Sequence, residues 1–264
     1  MSALAVIIAR GGSKGLPEKC VRPLCGRPVL AYTIDHAQRA EYVDAVVVST
    51  DSARAVRIAR TRRIDVIDRP AELATDTAPV DATIRHALEA YEAEHDYHAD
   101  VIVLLAGNVP VRAEGIVDRC IEHLLETGAD SVRTVSPVGK MHPDWMYRLD
   151  DDRMIQYRDN VIHRRQDLEP LYVLDGSVYV MTRGALYSPP AHEEDYQAFL
   201  GEDRRAVVQR PEDTVDIDTL ADFYRAEAMI RLHRDTARPV DLLRRPSHSP
   251  VLTGAVAYGY HERR

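Results

Sequence analysis

Residues 3–9 form an unbroken apolar run, ALAVIIA, that passes directly into RGGSKGLPEK over residues 10–19. An apolar run this short, closed by glycines, reads as a buried strand, so the chain must build a sheet that other elements cover. The loop that follows has a marked chemistry. Gly11, Gly12 and Gly15 can adopt backbone angles closed to other residues and can let main-chain N–H groups approach a ligand. Arg10, Lys14 and Lys19 add three cations and Ser13 a hydroxyl, and no acid precedes Glu18. Such a loop at a strand end suits a triphosphate, whose charge is offset by N–H groups and cations together. The two commonest phosphate patterns, G-x-x-x-x-G-K-S/T and G-x-G-x-x-G, are both absent. A basic surface turn is the plainer alternative.

The rest of the chain repeats strand and helix signals. Leu30, Ile34 and Ala37 keep helical spacing after Pro28, and residues 44–50 form a second apolar strand closed by Asp51. A helix to Arg60 and a short strand over 64–67 follow. Val80, Ile84, Ala87, Leu88 and Tyr91 then share a helix face, and residues 101–105 make a further buried strand. An amphipathic helix spans 114–126 on Val117, Cys120, Ile121, Leu124 and Leu125, with Gly128 as its C-terminal cap. Strands follow over 129–135 and 171–181, the second bent at Gly176. Alternation of this kind predicts an α/β fold with a largely parallel sheet, helices on both faces and ligand binding at the carboxyl ends of the strands.

Composition narrows the partners. The chain has 264 residues and a net charge of −8, which argues against nucleic acid because phosphate backbones need a broad basic face. Three cysteines without a C-x-x-C pair suggest neither zinc nor a disulfide framework, and Cys120 reads as core. The opening apolar run is too short for a signal peptide and no segment reaches transmembrane length, so a cytoplasmic protein without membrane contact is expected.

Two later stretches carry chemistry. In TVDIDTLAD over 214–222, Asp216 and Asp218 stand two apart, so in an extended segment they project from one face. Paired hard oxygen donors suit Mg²⁺, which is held by one or two carboxylates plus substrate phosphates. Asp218 as the cap of a helix carrying Leu220, Phe223, Ala226 and Ile230 is the plainer alternative. Residues 139–172, with Trp145 and Tyr147 among charges and an acidic turn at 150–152, alternate too weakly to build a core, and alone read as a charged hairpin. The tail over 235–264 shows little periodicity and has no assignable role.

ARGGSKGLPEK, followed by RPLCGRPVLAYTI, closely resembles the signature of the CMP-sugar synthetases, the acylneuraminate cytidylyltransferases. The resemblance runs to about Arg234. It implies a Rossmann-like nucleotidyltransferase domain over 1–234, with residues 139–172 inserted as a protruding arm that pairs two subunits into a homodimer. It also implies that CTP is coupled to an acidic α-keto sugar, N-acetylneuraminic acid or a related nonulosonic acid, with Mg²⁺ on Asp216 and Asp218. A Kdo-type sugar, another nucleotide, or a non-catalytic nucleotide sensor are the alternatives.

Residue by residue, the resemblance places Arg10, Gly11, Gly12, Ser13, Lys14, Lys19 and Cys20 at the nucleotide, with Arg10, Lys19, Asp216 and Asp218 in catalysis. Arg69 of RPAELATDTA would contact phosphate, and Thr77 either the base or the next helix as a cap. Lys140 and the Arg165 of RRQD, beside Gln166, would reach the sugar bound by the neighbouring subunit, with Arg164 the alternative to Arg165 if the register slips by one, and Tyr179 would line the sugar pocket or simply pack. Four sites depart from the family, one of them Asp175 in place of the usual asparagine. Cys20 stands where an asparagine is usual, and Pro79 and Val80 where a small hydroxyl reads cytosine. LAGNVPVR over 105–112 replaces the usual Leu-Gln-Pro-Thr-Ser-Pro-Leu-Arg, so Ala106 takes the place of a sugar-binding glutamine. Either Asn108 assumes that role, or the substrate differs there, or Gly107-Asn108 is a structural turn.

Overall fold

The computed structural model of the chain describes residues 1–12, 14–189 and 195–237, with side chains described as far as residue 234. In chain order its elements are β1 (Ala3–Ile8), the short pair β2 (Pro23–Leu24) and β3 (Arg27–Pro28), α1 (Val29–Arg39), β4 (Ala45–Thr50), α2 (Ala53–Thr61) and β5 (Asp65–Asp68). Then come α3 (Val80–Glu94), β6 (Val101–Ala106), α4 (Ile116–Thr127), β7 (Ser131–Pro137), β8 (Tyr147–Asp150) and β9 (Arg153–Gln156). The last are β10 (Tyr172–Thr182), α5 (Arg183–Leu186), β11 (Arg204–Val208) and α6 (Leu220–Ala237).

Seven strands form one sheet in the order β11-β7-β10-β6-β1-β4-β5. All neighbouring pairs are parallel except those of β10, which runs against both β6 and β7. The mixed, mostly parallel sheet therefore agrees with the alternating pattern. One face buries Ala3, Ala5 and Ile7 under α1, α2 and α4, and the other buries Leu4 and Val6 under α3 and α5. An apolar run without polar alternation is what a strand covered on both sides requires. A third cluster joins Leu16, Val29 and Tyr32 to Val215, Ile217, Phe223 and Ala226, and so docks α6 beside the end of the loop that follows β1.

Gly128 ends α4 in the left-handed region at φ 65°, as its position suggests. The helix begins at Ile116 rather than at residue 114, because Gly115 occupies the same region at φ 66°. Leu125 (48% exposed) and Val80 (42% exposed) lie off the buried stripes assigned to them. β10 bends where Gly176 takes φ 71°, and its register on β7 shifts between Leu174 and Tyr179. β11, carrying RRAVV, is not foreseen by periodicity. It is an edge strand, mostly exposed, with no apolar face to betray it. β8 and β9 form a separate antiparallel hairpin turning at Asp151, and all eight of their residues are exposed.

Candidate active site

The loop after β1 and the segment before α6 meet, although they lie at opposite ends of the chain. Lys19 Nζ donates to Asp218 Oδ1 at 2.6 Å. A Cβ placed on Gly15 would stand 2.4 Å from the Asp218 carbonyl oxygen, so only glycine permits the approach. Gly11, Gly12 and Gly15 all keep φ outside the left-handed region, and the residue that enters it is Glu18, at φ 57°. This corrects the expectation drawn from their backbone freedom: Gly15 matters for what it lacks, a side chain. Ser13 lies outside the described residues. Gly11 N–H donates to Asp51 Oδ1 at 2.7 Å, while the side chain of Ser52 caps α2, so Asp51 serves the loop rather than the helix.

The loop cations already hold an acid. Arg10 and Lys14 each approach Asp76 at 2.5 Å, and their hydrogen bonds, that of Lys14 first, keep the Asp76 carboxyl below the usual carboxylate range. Asp76 is absent from the sequence-based site. The signal was present, as the acid inside the ATDTA motif that faces the two cations. Thr77, next to it, is exposed and caps nothing: α3 begins after Pro79 without a side-chain cap. Arg69 is buried and donates to Ser49 Oγ at 3.1 Å and to the Ser49 carbonyl at 2.6 Å. Burial lowers its pKa, and the neighbouring charge of Asp51 opposes that shift. Cys20 is buried, and desolvation pushes its thiol up to about 11 despite nearby Lys19 and Arg69. It is a neutral packing group at neutral pH.

At the end of β6 the chain turns through Gly107 and Asn108. Gly107 N–H donates to the Ile8 carbonyl at 2.9 Å, and a Cβ there would lie 2.9 Å from that of Ala9. Asn108 Nδ2 donates to Asp216 Oδ1 and to the Ile217 carbonyl (3.1 Å), while Ile217 N–H returns a bond to the Asn108 carbonyl at 3.0 Å. Asn108 therefore makes the turn and also fixes the orientation of Asp216. Beneath the turn, buried Arg112 donates to the carbonyls of Ala106, Val109 and Ser177 and to Thr33 Oγ1. Desolvation brings its pKa down to about 9.

Asp218 does not cap α6. Thr219 and Asp222 close that helix reciprocally, with Thr219 N–H donating to Asp222 Oδ2 at 2.8 Å and Asp222 N–H to Thr219 Oγ1 at 3.3 Å. Asp216 and Asp218 thus each spend one oxygen on an in-chain donor, and among the described residues no donor meets either Oδ2. Although Asp216 is open to solvent on one side, partial desolvation, and secondarily the Asp218 charge, raise its pKa to about 6. Two crowded carboxylates with unclaimed oxygens favour a cation between them. Among the described residues no cluster of three or more His, Cys, Asp or Glu side chains surrounds a metal position. The donor set fits Mg²⁺, which takes substrate phosphates and water for its remaining positions.

A cavity of about 900 Å³ opens beside Asp216 and is lined by Ala106, Tyr179, Leu104, Arg133 and Gly176 among others. Two expected sugar-site residues, Ala106 and Tyr179, are thereby brought to one space with Asp216, one of the two expected metal ligands. Asn108 does not line it, nor do Lys140, Arg165 and Gln166, which are exposed on the segment around the β8–β9 hairpin. Lys140 and Arg165 have no acidic partner among the described residues, whereas Arg164 pairs with Asp167 at 2.7 Å. Asp175, where the family usually has asparagine, stands behind the cavity and accepts from Thr134, Ser136, Ser177 N–H and Gln209.

No described helix is long and apolar enough to cross a membrane. The description of the family "Cytidylyltransferase" matches residues 4–183. A CMP-N,N'-diacetyllegionaminic acid synthase of Legionella pneumophila is 31% identical over 245 residues, covering 89% of this chain and 99% of its own. An N-acylneuraminate cytidylyltransferase of Streptococcus agalactiae is 31% identical over 233 residues, covering 84% of this chain but 52% of that protein, so the chain spans about half its length. A solved CMP:2-keto-3-deoxy-manno-octonic acid synthetase complexed with CTP superposes with a TM-score of 0.65 at 19% identity, over 88% of this chain and 100% of that one. At that identity the likeness is one of fold.

Proposed function

The chain belongs to the cytidylyltransferase family, and from that premise we propose that it transfers CMP from CTP to the anomeric hydroxyl of an acidic α-keto sugar of the nonulosonic acid kind, releasing pyrophosphate. The observation that carries the proposal is the junction of Lys19 and Gly15 with Asp218, which brings the glycine-rich cationic loop to the paired carboxylates, with a sugar-sized cavity beside Asp216. Arg10, Lys14 and Lys19 offset the charge of the triphosphate, with Asp76 standing aside when phosphate replaces it. Such transfer depends mainly on positioning and charge neutralisation. Mg²⁺ on Asp216 and Asp218 would neutralise charge on the phosphates as pyrophosphate leaves. Asn108 holds Asp216 in place for that role.

The arm over 139–172 belongs in this proposal as the homodimer contact. Its hairpin exposes Leu149 (70%) and Met154 (65%), and its Lys140 and Arg165 await an acid, which the sugar bound by a second subunit would supply. The loss of glutamine at Ala106 supports a sugar differing from N-acetylneuraminic acid where that amide would bind.

The test is pyrophosphate release with Mg²⁺, crossing CTP, UTP, GTP and ATP against N-acetylneuraminic acid, other nonulosonic acids and Kdo. Release with CTP and one acidic sugar is expected. Release with another nucleotide would assign base choice to Cys20 and Pro79. CTP binding without release from any pair would replace the enzyme by a nucleotide sensor.

A further inference from the structure

One register crosses the sheet beneath the cavity. Leu104 of β6 pairs with Tyr179 of β10, which pairs with Arg133 of β7. Directly paired residues project to the same face, and all three line the cavity. The Arg133 guanidinium lies 5.8 Å from the Tyr179 ring centre, and the side chain is half-buried. Among the described residues it has no carboxylate and no hydrogen-bond acceptor. The other arginines that face inward are served: Arg112 by carbonyls, and Arg85, on the same cavity, by Asp81 at 2.7 Å and the Leu186 carbonyl. Burial depresses the pKa of Arg133, with Arg204 adding to the effect and Tyr179 opposing it.

A half-buried cation that the described protein leaves unpaired carries a cost that an anionic ligand would offset. A guanidinium held over a ring presents its planar fork edgewise, which suits two coplanar oxygens. Of the groups on an acidic α-keto sugar, the carboxylate alone combines that shape with a full negative charge. We propose that Arg133 is a substrate-binding residue supplied by the same chain, whose guanidinium receives the sugar carboxylate across the face of Tyr179. This rests on the proposed transfer to an acidic sugar, and it adds an in-chain anchor to the cations that the arm of a second subunit would bring.

The experiment compares wild type, Arg133→Met, Arg133→Lys and Arg165→Ala in the full-length protein with the acidic sugar that supports turnover. Sugar carboxamide serves as a competing ligand. Arg133→Met should raise KM for the sugar about 10- to 100-fold while KM for CTP stays within about twofold, as loss of a charge-assisted hydrogen bond predicts. Its preference for acid over carboxamide should collapse, and Arg133→Lys should restore part of it. The melting temperature of ligand-free Arg133→Met should equal or exceed that of wild type, since no described partner is orphaned. A lower melting temperature with unchanged sugar KM would overturn the proposal by making Arg133 structural. Preference retained in Arg133→Met and lost in Arg165→Ala would overturn it in favour of the partner's arm. Absence of turnover by wild type with every acidic sugar would overturn the proposed reaction and this inference together.

Discussion

The proposed phosphate end of the site and the segment proposed as an arm are both rich in charge, yet they treat it in opposite ways. At the phosphate end Arg10, Lys14 and Lys19 are all paired with Asp76 or Asp218 inside one chain. On the arm Lys140 and Arg165 have no acid among the described residues, and apolar Leu149 and Met154 face solvent across from one another. The first region pairs its charges within one chain, and the second leaves these two cations without an acid among the described residues. On the proposed reaction, the nucleotide would need only one subunit, whereas the sugar would draw on two.

The largest expected effect breaks the second half of that comparison. Leu149→Glu with Met154→Glu puts two charges on the exposed hairpin face, and should raise the dimer dissociation constant about a thousandfold by the loss of two anchoring contacts. Sedimentation should then report a monomer that binds CTP normally but no longer releases sugar-dependent pyrophosphate. Full turnover by a verified monomer would sink the two-subunit reading.

A smaller effect sharpens the first half. Asn108→Ala frees Asp216 from its amide partner and should weaken Mn²⁺ or Mg²⁺ binding in the presence of CTP about tenfold, the usual consequence of losing a bond that orients a metal ligand. Calorimetric titration reads this independently of turnover. An unchanged affinity would reduce Asn108 to its role in the turn.

The smallest effect concerns stability. The Asp216 pKa is raised to about 6 from 3.8, so its ionised form opposes folding above about pH 6, and that penalty is relieved as pH falls toward 4. Metal-free Asp216→Asn should therefore be more stable than wild type at pH 7.5 by about 1 kcal/mol after discounting for solvent, or about 2–4 °C in Tm. The difference should vanish by pH 4. A constant difference across that range would point to packing rather than charge.

The sheet was legible because its strands are apolar runs and its helices apolar stripes, and the bend at Gly176 was legible because glycine interrupts a strand. β11 was not, since an exposed edge strand carries no pattern. In the candidate site, the cations and glycines of ARGGSKGLPEK and the paired acids of DID are visible locally as residues, and the structure brings Lys19 and Asp218 together. The link between Asn108 and Asp216 does not, because it joins residues 108 positions apart through backbone placement. Arg133 was hidden for a related reason: SVRTV reads as a strand with one solvent-facing charge, and only the sheet's second covering layer turns that charge inward.

The contact between Lys19 and Asp218 spans 199 residues. On the ribosome, the first half of this pair emerges long before the second, and the family-matched segment ends at residue 183, short of it. A nascent or truncated chain can pair β1, β4, β5 and β6 and still lack the site's closing piece. If the proposed reaction holds, competence to act on CTP would wait until Asp218 has been made, and proteolytic loss of the segment carrying Asp216 and Asp218 would disarm the protein.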